Sequence, residues 1–193
     1  MRRMKIEVAE ASVAALSEYA RVPIAFTVDR VLDVMSRAQS PREFVLSERR
    51  LEVPYERDYD AIAGEGPLQW ERHFDLSKWA LFVARLDDRI VGGAAVAFDT
   101  PGVTILEGRR DLAVLWDIRV APDMQHRGIG SALFPEVQTW AQRHGCRQIK
   151  IETQNTTCGH VVSTSGRDAS CRRFIEARIL YFQKRFSCSG TRT

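Results

Sequence analysis

The clearest pattern of hydrophobic and polar positions lies in the middle of the chain. Two apolar segments, 80–86 (ALFVARL) and 89–98 (RIVGGAAVAF), are separated only by a pair of aspartates. Two apolar runs joined by two turn-forming residues predict a β-hairpin. Gly92 and Gly93, inside the second run, predict a bulge or a close approach of the backbone to another part of the molecule.

The pattern then changes from strand to helix and back. Residues 111–120 (DLAVLWDIRV) are mostly apolar and predict a strand, which the sequence Ala-Pro-Asp ends. A helix is predicted over 127–144 with Gly145 as its C-terminal cap, and residues 147–152 (RQIKIE) predict the next strand. The apolar residues that predict the buried face of this helix recur at helical spacing: Phe134, Val137, Trp140 and Ala141.

Pro135 interrupts this helical pattern. Proline has no backbone N–H, so inside a helix it removes the hydrogen bond to Ser131 and costs about 3 kcal/mol. We therefore expect the helix to kink or to restart at Pro135.

The first half of the chain is less regular. Its predicted elements are a strand at 4–8, a helix at 9–19, an extended segment at 22–34, a strand at 44–53 and a loop at 54–78. Antiparallel pieces in front of a strand–helix–strand unit predict an α/β fold with a mixed, mostly antiparallel sheet and flanking helices.

The turn between strand 111–120 and the helix has the chemistry of an anion site. Gly128 and Gly130 carry no side chains, so the backbone N–H groups at the helix N-terminus can approach a ligand closely. A dinucleotide-binding pattern would need a third glycine where the chain has Leu133, and the Gly-Lys-Ser/Thr of a P-loop is absent. A glycine turn that serves packing alone is the remaining alternative.

The segment WDIRVAPDMQHRGIGSALFPEVQTWAQRHG, residues 116–145, resembles the GNAT superfamily of acetyl-CoA-dependent N-acetyltransferases. The resemblance rests on Q-x-x-G-x-G shortly after a strand that ends V-A-P. It implies acetyl-CoA as co-substrate and acetyl transfer to a primary amine of a small molecule or antibiotic. It also implies that main-chain groups of Ile118, Arg119 and Val120 pair with the pantetheine arm. The pyrophosphate would be held by backbone N–H groups of Gln125, His126, Arg127, Gly128, Ile129, Gly130 and Ser131.

The same resemblance implies direct attack of the amine on the thioester, so the protein must supply a base rather than a nucleophile. Asp117, on the strand before the turn, is the first candidate, and pairing with Arg119 is the alternative role for its carboxylate. Glu152 on the next strand is the second candidate. Trp116 is expected in the core or in the wall of the acceptor site.

The acceptor side carries weaker signals. Residues 23–34 (PIAFTVDRVLDV) and the loop 54–78 resemble the acceptor-side region of antibiotic acetyltransferases such as the streptothricin acetyltransferases. A cationic amine could be bound by acids in this region, and a solvated loop would explain the same residues: Glu52, Glu56, Asp58, Asp60, Glu65 and Glu71.

The resemblance ends at Asn155, so we divide the chain into an acetyltransferase domain, 1–155, and an atypical basic tail, 156–193. The tail holds seven basic and two acidic residues (+5), whereas the rest holds 21 and 23 (−2). Codons that encode the tail, when translated in another reading frame, also permit an amino-acid sequence that resembles the C-terminal region of the family. This sequence finishes with V-Q-L-L-W-Y-K. We infer a single-base deletion near codon 156. The tail is then expected to lack the last two strands, to form at most a helix within 174–186, and to dock loosely.

Composition changes this picture little. The 193 residues, 45% apolar and 27% charged, suit one domain, and no apolar run approaches the roughly 18 residues of a membrane span. The N-terminus lacks the apolar core of a secretory signal, and the four cysteines have no zinc-type spacing. We expect a cytoplasmic protein without a metal, which binds a small-molecule amine but no nucleic acid and no membrane. A homodimer is one alternative for the oligomeric state. The alternatives for the function are a catalytically impaired acyl-CoA-binding remnant and a nucleic-acid-binding protein that works through its tail.

Overall fold

The computed structural model describes residues 6–37, 40–154, 156, 170–174 and 179–185. The strands are β1 Ile6–Ala11, β2 Phe26–Arg37, β3 Ser40–Arg57, β4 Ala80–Leu86, β5 Arg89–Phe98, β6 Leu112–Val120, β7 Gln148–Gln154, β8 Ser170–Phe174 and β9 Ile179–Arg185. The α-helices are α1 Leu16–Tyr19, α2 Trp70–His73 and α3 Ile129–Arg143, and short 3₁₀ turns lie at Val13–Ala15, Pro67–Gln69, Leu76–Lys78, Thr104–Leu106 and Pro122–Met124. No helix in the described part of the chain is long and apolar enough to cross a lipid bilayer.

Seven strands form one sheet in the order β1-β4-β5-β6-β7-β9-β8. Among the strands that the structure describes, only β6 and β7 are parallel neighbours, as expected for two strands joined by a crossover helix, here α3. Strands β2 and β3 pair with each other as a separate two-stranded sheet, which we call the ribbon. The prediction of a mixed, mostly antiparallel α/β sheet with flanking helices is confirmed.

The predicted hairpin is β4–β5, and its two glycines have the predicted roles. Ala84 pairs with Gly92 while Arg85 pairs with Ile90, so the register shifts by one residue at this point. A Cβ atom on Gly93 would lie 2.5 Å from the carbonyl oxygen of Phe82 and 2.6 Å from the ring of Tyr19. Only glycine fits there without a shift of the backbone.

Helix α3 covers one face of the sheet and buries the apolar side that the sequence predicts, Phe134, Val137, Trp140 and Ala141, together with Ile129 and Leu133. Of the two alternatives predicted at Pro135, the restart of the helix is wrong, because α3 runs continuously from Ile129 to Arg143, and the kink stays a prediction. Pro135 and Ser131 both face solvent. Water can therefore satisfy the Ser131 carbonyl that loses its N–H partner, and the helix tolerates the proline.

Tertiary pairing overrides local propensity at the N-terminus and in the tail. The predicted helix 9–19 is reduced to α1 and a 3₁₀ turn, because residues up to Ala11 pair with β4 as part of β1. The expectation that the tail lacks the two closing strands is also wrong, since β9 pairs with β7 along its whole length and β8 pairs with β9. The ILYFQKR segment combines β-branched and aromatic residues, and the open edge of β7 gives it a partner.

Candidate functional site

Strands β6 and β7 separate halfway along β6. Their parallel ladder consists of four pairs and ends at Leu115 and Ile151. On the other side of β6, Val96 pairs with Leu115 and Ala95 with Asp117, so Trp116 is an extra residue that forms a bulge at this point. The bulge bends β6, and the remainder of β6 and β7 enclose a gap, which we call the opening.

The main chain of β6 beyond the bulge faces this opening at alternate residues. The N–H of Ala121 donates to the carbonyl of Val91 at 2.8 Å, which fixes the phase of the β5–β6 ladder. In an antiparallel ladder, hydrogen-bonded and non-hydrogen-bonded residues alternate. Ile118 and Val120 therefore direct their N–H and C=O groups away from β5 and towards the opening, whereas Arg119 directs its own towards Gly93.

The segment Gln125–Ser131, which we call the glycine turn, leads from β6 into α3. His126 and Gly128 have positive φ angles, 59° and 81°, so the chain turns sharply just before the helix. Gly128 is the N-cap residue of α3 and has no side chain with which to cap it. The N–H groups of the first helical turn are thus available to a ligand, and the helix dipole favours an anion at this place.

One part of the glycine turn packs against the sheet, and another part is exposed to solvent. Ile129 is 1% exposed, and its Cγ2 atom would lie 2.9 Å from a Cβ atom on Gly92, so α3 begins in close contact with β5. His126, Arg127 and Gly128 are exposed. A phosphate group can therefore reach the backbone of the turn, and Arg127 can add a full positive charge.

The opposite face of β6 carries a buried ionic cluster around Arg119, whose side chain is 1% exposed. The guanidinium donates to Asp117 through Nε at 3.1 Å and Nη2 at 2.5 Å. It donates to Asp60 through Nη1 at 2.8 Å and Nη2 at 3.2 Å, and to the Val22 carbonyl through Nη1 at 3.0 Å. These contacts use all five N–H donors of the guanidinium. We call Arg119, Asp117, Asp60 and the Val22 carbonyl the Arg119 clamp.

Tyr19 completes the surroundings of Asp117. Its hydroxyl donates to Asp117 Oδ1 at 2.7 Å, and its ring lies 5.0 Å from the Arg119 guanidinium. Burial is the main cause that raises the pKa of Tyr19 well above its usual value, and the charge of Asp117 raises it further. Burial disfavours the charged form of Arg119, but hydrogen bonding to Asp117 and attraction by it raise the Arg119 pKa above its ordinary value. Tyr19 therefore stays a neutral donor beside a charged pair.

The two predicted bases lie on the same face of the sheet in different surroundings. The register across β5, β6 and β7 places Glu152 on the face of Asp117, one residue beyond the end of the parallel ladder. The Asp117 side chain is 8% exposed and paired with Arg119, which is the alternative that the sequence left open. Glu152 is exposed at the opening and has no ion pair within the described part of the chain.

An aromatic group lines the bulge. Trp116 packs edge-on against Phe74 and Trp79, with ring centroids 5.3 Å and 5.4 Å apart, and Trp79 continues to Trp70 at 5.8 Å. The place of Trp116, partly buried at the mouth of the opening, agrees with a residue of the core or of an acceptor wall. Trp70 and Phe74 come from the segment 54–78 predicted as a loop, where their partners could not be inferred from local sequence.

Sequence reasoning missed Tyr19 and the Val22 carbonyl as partners of the pair on β6. They are 98 and 97 residues away from Asp117 and Arg119 respectively. Asp60 appeared only among several loop acids. The one available signal was the Asp-x-Arg spacing on a strand, which places both side chains on one face but does not identify their distant partners.

Comparison with known proteins identifies the family of the chain. The model of the acetyltransferase (GNAT) family matches residues 43–159, which is more than half of the chain. No curated protein sequence matches the chain.

Solved structures share the fold. A nourseothricin acetyltransferase is 18% identical with a TM-score of 0.69, over 93% of this chain and 98% of that one. A putative streptothricin acetyltransferase from Bacillus anthracis str. Ames, solved with acetyl coenzyme A, is 15% identical with a TM-score of 0.71, over 95% and 99%. PaiA N-acetyltransferase from Thermoplasma acidophilum, solved with coenzyme A, is 14% identical with a TM-score of 0.55, over 95% and 100%.

Proposed function

The chain belongs to the acetyltransferase (GNAT) family, and we propose that it transfers an acetyl group from acetyl-CoA to a primary amine of a small molecule or antibiotic. The observation that carries the proposal is the opening between β6 and β7, with the glycine turn at its edge. It combines main-chain groups for an extended arm with a helix N-terminus for a pyrophosphate. Cytoplasmic location and the choice between monomer and homodimer remain predictions of the sequence.

Acetyl-CoA fits the two halves of this arrangement by chemistry. The pantetheine arm contains amides, which can pair with the N–H and C=O groups that Ile118 and Val120 direct into the opening. The pyrophosphate is an anion, which suits the uncapped N–H groups after Gly128 and the charge of Arg127. Arg119 offers no main-chain groups to the pantetheine arm, because its N–H and C=O groups are directed towards β5. Its part in the proposal is that of its side chain.

In the reaction, the acceptor must lose a proton before its nitrogen lone pair can attack the thioester carbonyl. The N–C bond forms, the C–S bond breaks, and the sulfur leaves as a thiolate that takes up a proton. We assign the base to Glu152, because its carboxylate is exposed at the opening. Both oxygens of Asp117 already accept hydrogen bonds from Arg119 or Tyr19, so its lone pairs are less available.

The acceptor is proposed to be a cationic amine. Two of the structural neighbours are named for antibiotics, nourseothricin and streptothricin. In this chain, the aromatic group at Trp116 and the carboxylates near the base of the ribbon lie on the side of the sheet that faces Glu152. Aromatic rings and carboxylates attract an ammonium group.

Two measurements test the proposal. Isothermal titration calorimetry with acetyl-CoA should show saturable binding, and free coenzyme A should compete for the same site. Mass spectrometry of a panel of amines, including streptothricin-type antibiotics and simple diamines, should show an acetylated product that depends on both enzyme and acetyl-CoA. Binding without turnover on the panel would favour the impaired remnant, and the absence of acetyl-CoA binding would overturn the proposal.

A further inference from the structure

We propose that Arg119 is a positioning residue that locks both ends of the ribbon onto β6, so that the base of the ribbon forms one wall of the acceptor site. The inference rests on the proposed function, because it assigns a role in acceptor binding. It concerns the side chain of Arg119, which projects to the face opposite the glycine turn.

The connectivity of the clamp carries the inference. The Val22 carbonyl lies four residues before β2 begins, and Asp60 lies three residues after β3 ends, so these two groups are the two feet of the ribbon. Arg119 Nη1 donates to both, at 3.0 Å and 2.8 Å. One buried nitrogen on β6 therefore holds the entry and the exit of a 32-residue excursion of the chain, Phe26–Arg57.

The feet are also held to each other. Asp58 Oδ1 accepts a hydrogen bond from the backbone N–H of Asp60 at 3.0 Å, which fixes the backbone at Asp60. The ring of Tyr59 lies 6.1 Å from that of Phe26 and 5.2 Å from the guanidinium of Arg57. The base of the ribbon is thus a small packed unit, and Arg119 fixes the position of this unit on the sheet.

The place of attachment connects the ribbon to the reaction. Asp117, the third partner of Arg119, follows directly on Trp116, where β6 bulges and the opening begins. Glu152 lies on the same face of the sheet, across the opening. A shift of the ribbon base would therefore move an acceptor-side wall while leaving the glycine turn, on the other face, in place.

The asymmetry of burial indicates which partner to change. The side chains of Arg119 and Asp117 are 1% and 8% exposed, whereas that of Asp60 is 29% exposed. Asp60→Asn keeps the shape and leaves the inner Arg119–Asp117 pair intact, so the variant should fold. Asp58→Ala is the second variant, because it removes the acceptor of the Asp60 N–H without touching Arg119.

Asp33→Asn is the matched control. Asp33 makes the same bidentate contact with an arginine, Arg49, at 2.7 Å and 3.1 Å, but this pair is exposed and lies along the ribbon, away from its feet. We expect Asp60→Asn to raise the acceptor KM about 10-fold, with kcat and the acetyl-CoA Kd changed less than about 2-fold. Trypsin should cut the ribbon after Arg30 several-fold faster in Asp60→Asn and Asp58→Ala than in Asp33→Asn. Cleavage after Arg49 does not enter the comparison, because Asp33→Asn itself releases Arg49 from its ion pair.

The two readouts separate this inference from the proposed function. Proteolysis needs no catalysis, so equal cleavage of Asp60→Asn and Asp33→Asn would overturn the lock even in an inactive protein. An acceptor KM equal to that of the control, in a protein that turns over, would overturn the acceptor wall. Faster cleavage in a protein that does not bind acetyl-CoA would support the lock and contradict the proposed function instead.

Discussion

The two faces of strand β6 differ in how they are built. On one face, Ile118 and Val120 point towards α3 and the glycine turn, in apolar surroundings that follow directly along the chain. On the other face, Asp117 and Arg119 join an ionic cluster with residues from α1 and from the feet of the ribbon. Alternate residues of one strand thus serve a local ligand-binding unit and a long-range scaffold. One half of a site can therefore come from residues that are close together in the sequence, while the other half comes from residues that are far apart.

This difference explains what could be predicted. The strand, glycine turn and helix on the α3 side form one contiguous segment, where spacing determines geometry, so its elements and its buried face agree with the structure. The clamp depends on contacts across 59 and 97 residues, for which spacing gives no information. The predicted helix at 9–19 failed for the same reason, since pairing with a distant strand decided its conformation.

The largest expected effect concerns the ionic face. Glu152→Gln should lower kcat by about 10²- to 10⁴-fold, because a positioned general base contributes about that much. Steady-state kinetics with a fixed amine at saturating acetyl-CoA tests this.

Asp117→Asn is the comparison variant for that experiment. We expect a smaller loss of kcat, an unchanged acetyl-CoA Kd and reduced stability, because the amide leaves the buried Arg119 with only the half-buried Asp60 as a counterion. If Asp117→Asn lowers kcat more than Glu152→Gln does, Asp117 is the base and the assignment is reversed.

A second prediction compares the packing tolerance of the two faces. Gly93→Ala places a Cβ atom 2.5 Å from the Phe82 carbonyl and 2.6 Å from the Tyr19 ring, so the free energy of unfolding should fall by about 3 kcal/mol. Gly92→Ala meets the Arg119 carbonyl and the Ile129 methyl at 2.9 Å, and should cost less.

Urea unfolding measures both variants, with Gly66→Ala as the control, since its nearest neighbour would be the Asp60 carboxylate at 3.8 Å. An equal loss for Gly92→Ala and Gly93→Ala would mean that both faces are packed with the same tightness. The face of Tyr19 and Arg119 would then be no more tightly packed than the face of α3.

A third prediction tests the ligand role of the α3 side. Gly128→Val should weaken acetyl-CoA binding about 10-fold or more, because a branched side chain at φ 81° is strained and blocks the approach to the backbone. Gly145→Val is the matched control: its φ is 75°, it also has open space around a Cβ atom, and it lies beyond the far end of α3. Both variants should lose similar stability, but only Gly128→Val should lose affinity in a calorimetric titration. Equal affinities would remove the glycine turn from the binding site.

The smallest expected effect concerns Pro135, on the solvent side of the helix that bears the glycine turn. Pro135→Ala restores an N–H donor for the Ser131 carbonyl and removes the steric conflict of the proline ring inside α3. The gain is reduced because the Ser131 carbonyl faces water and because alanine leaves the unfolded chain more flexible.

We therefore expect a gain of about 1 kcal/mol, or roughly 2–4 °C in melting temperature, with an unchanged acetyl-CoA Kd. The neighbouring exposed residue gives the control variant Glu136→Ala, which should change the melting temperature by less than about 2 °C. A rise in affinity for acetyl-CoA with Pro135→Ala would mean that the proline shapes the first turn of α3. The ligand-binding unit would then extend further along the helix than the glycine turn.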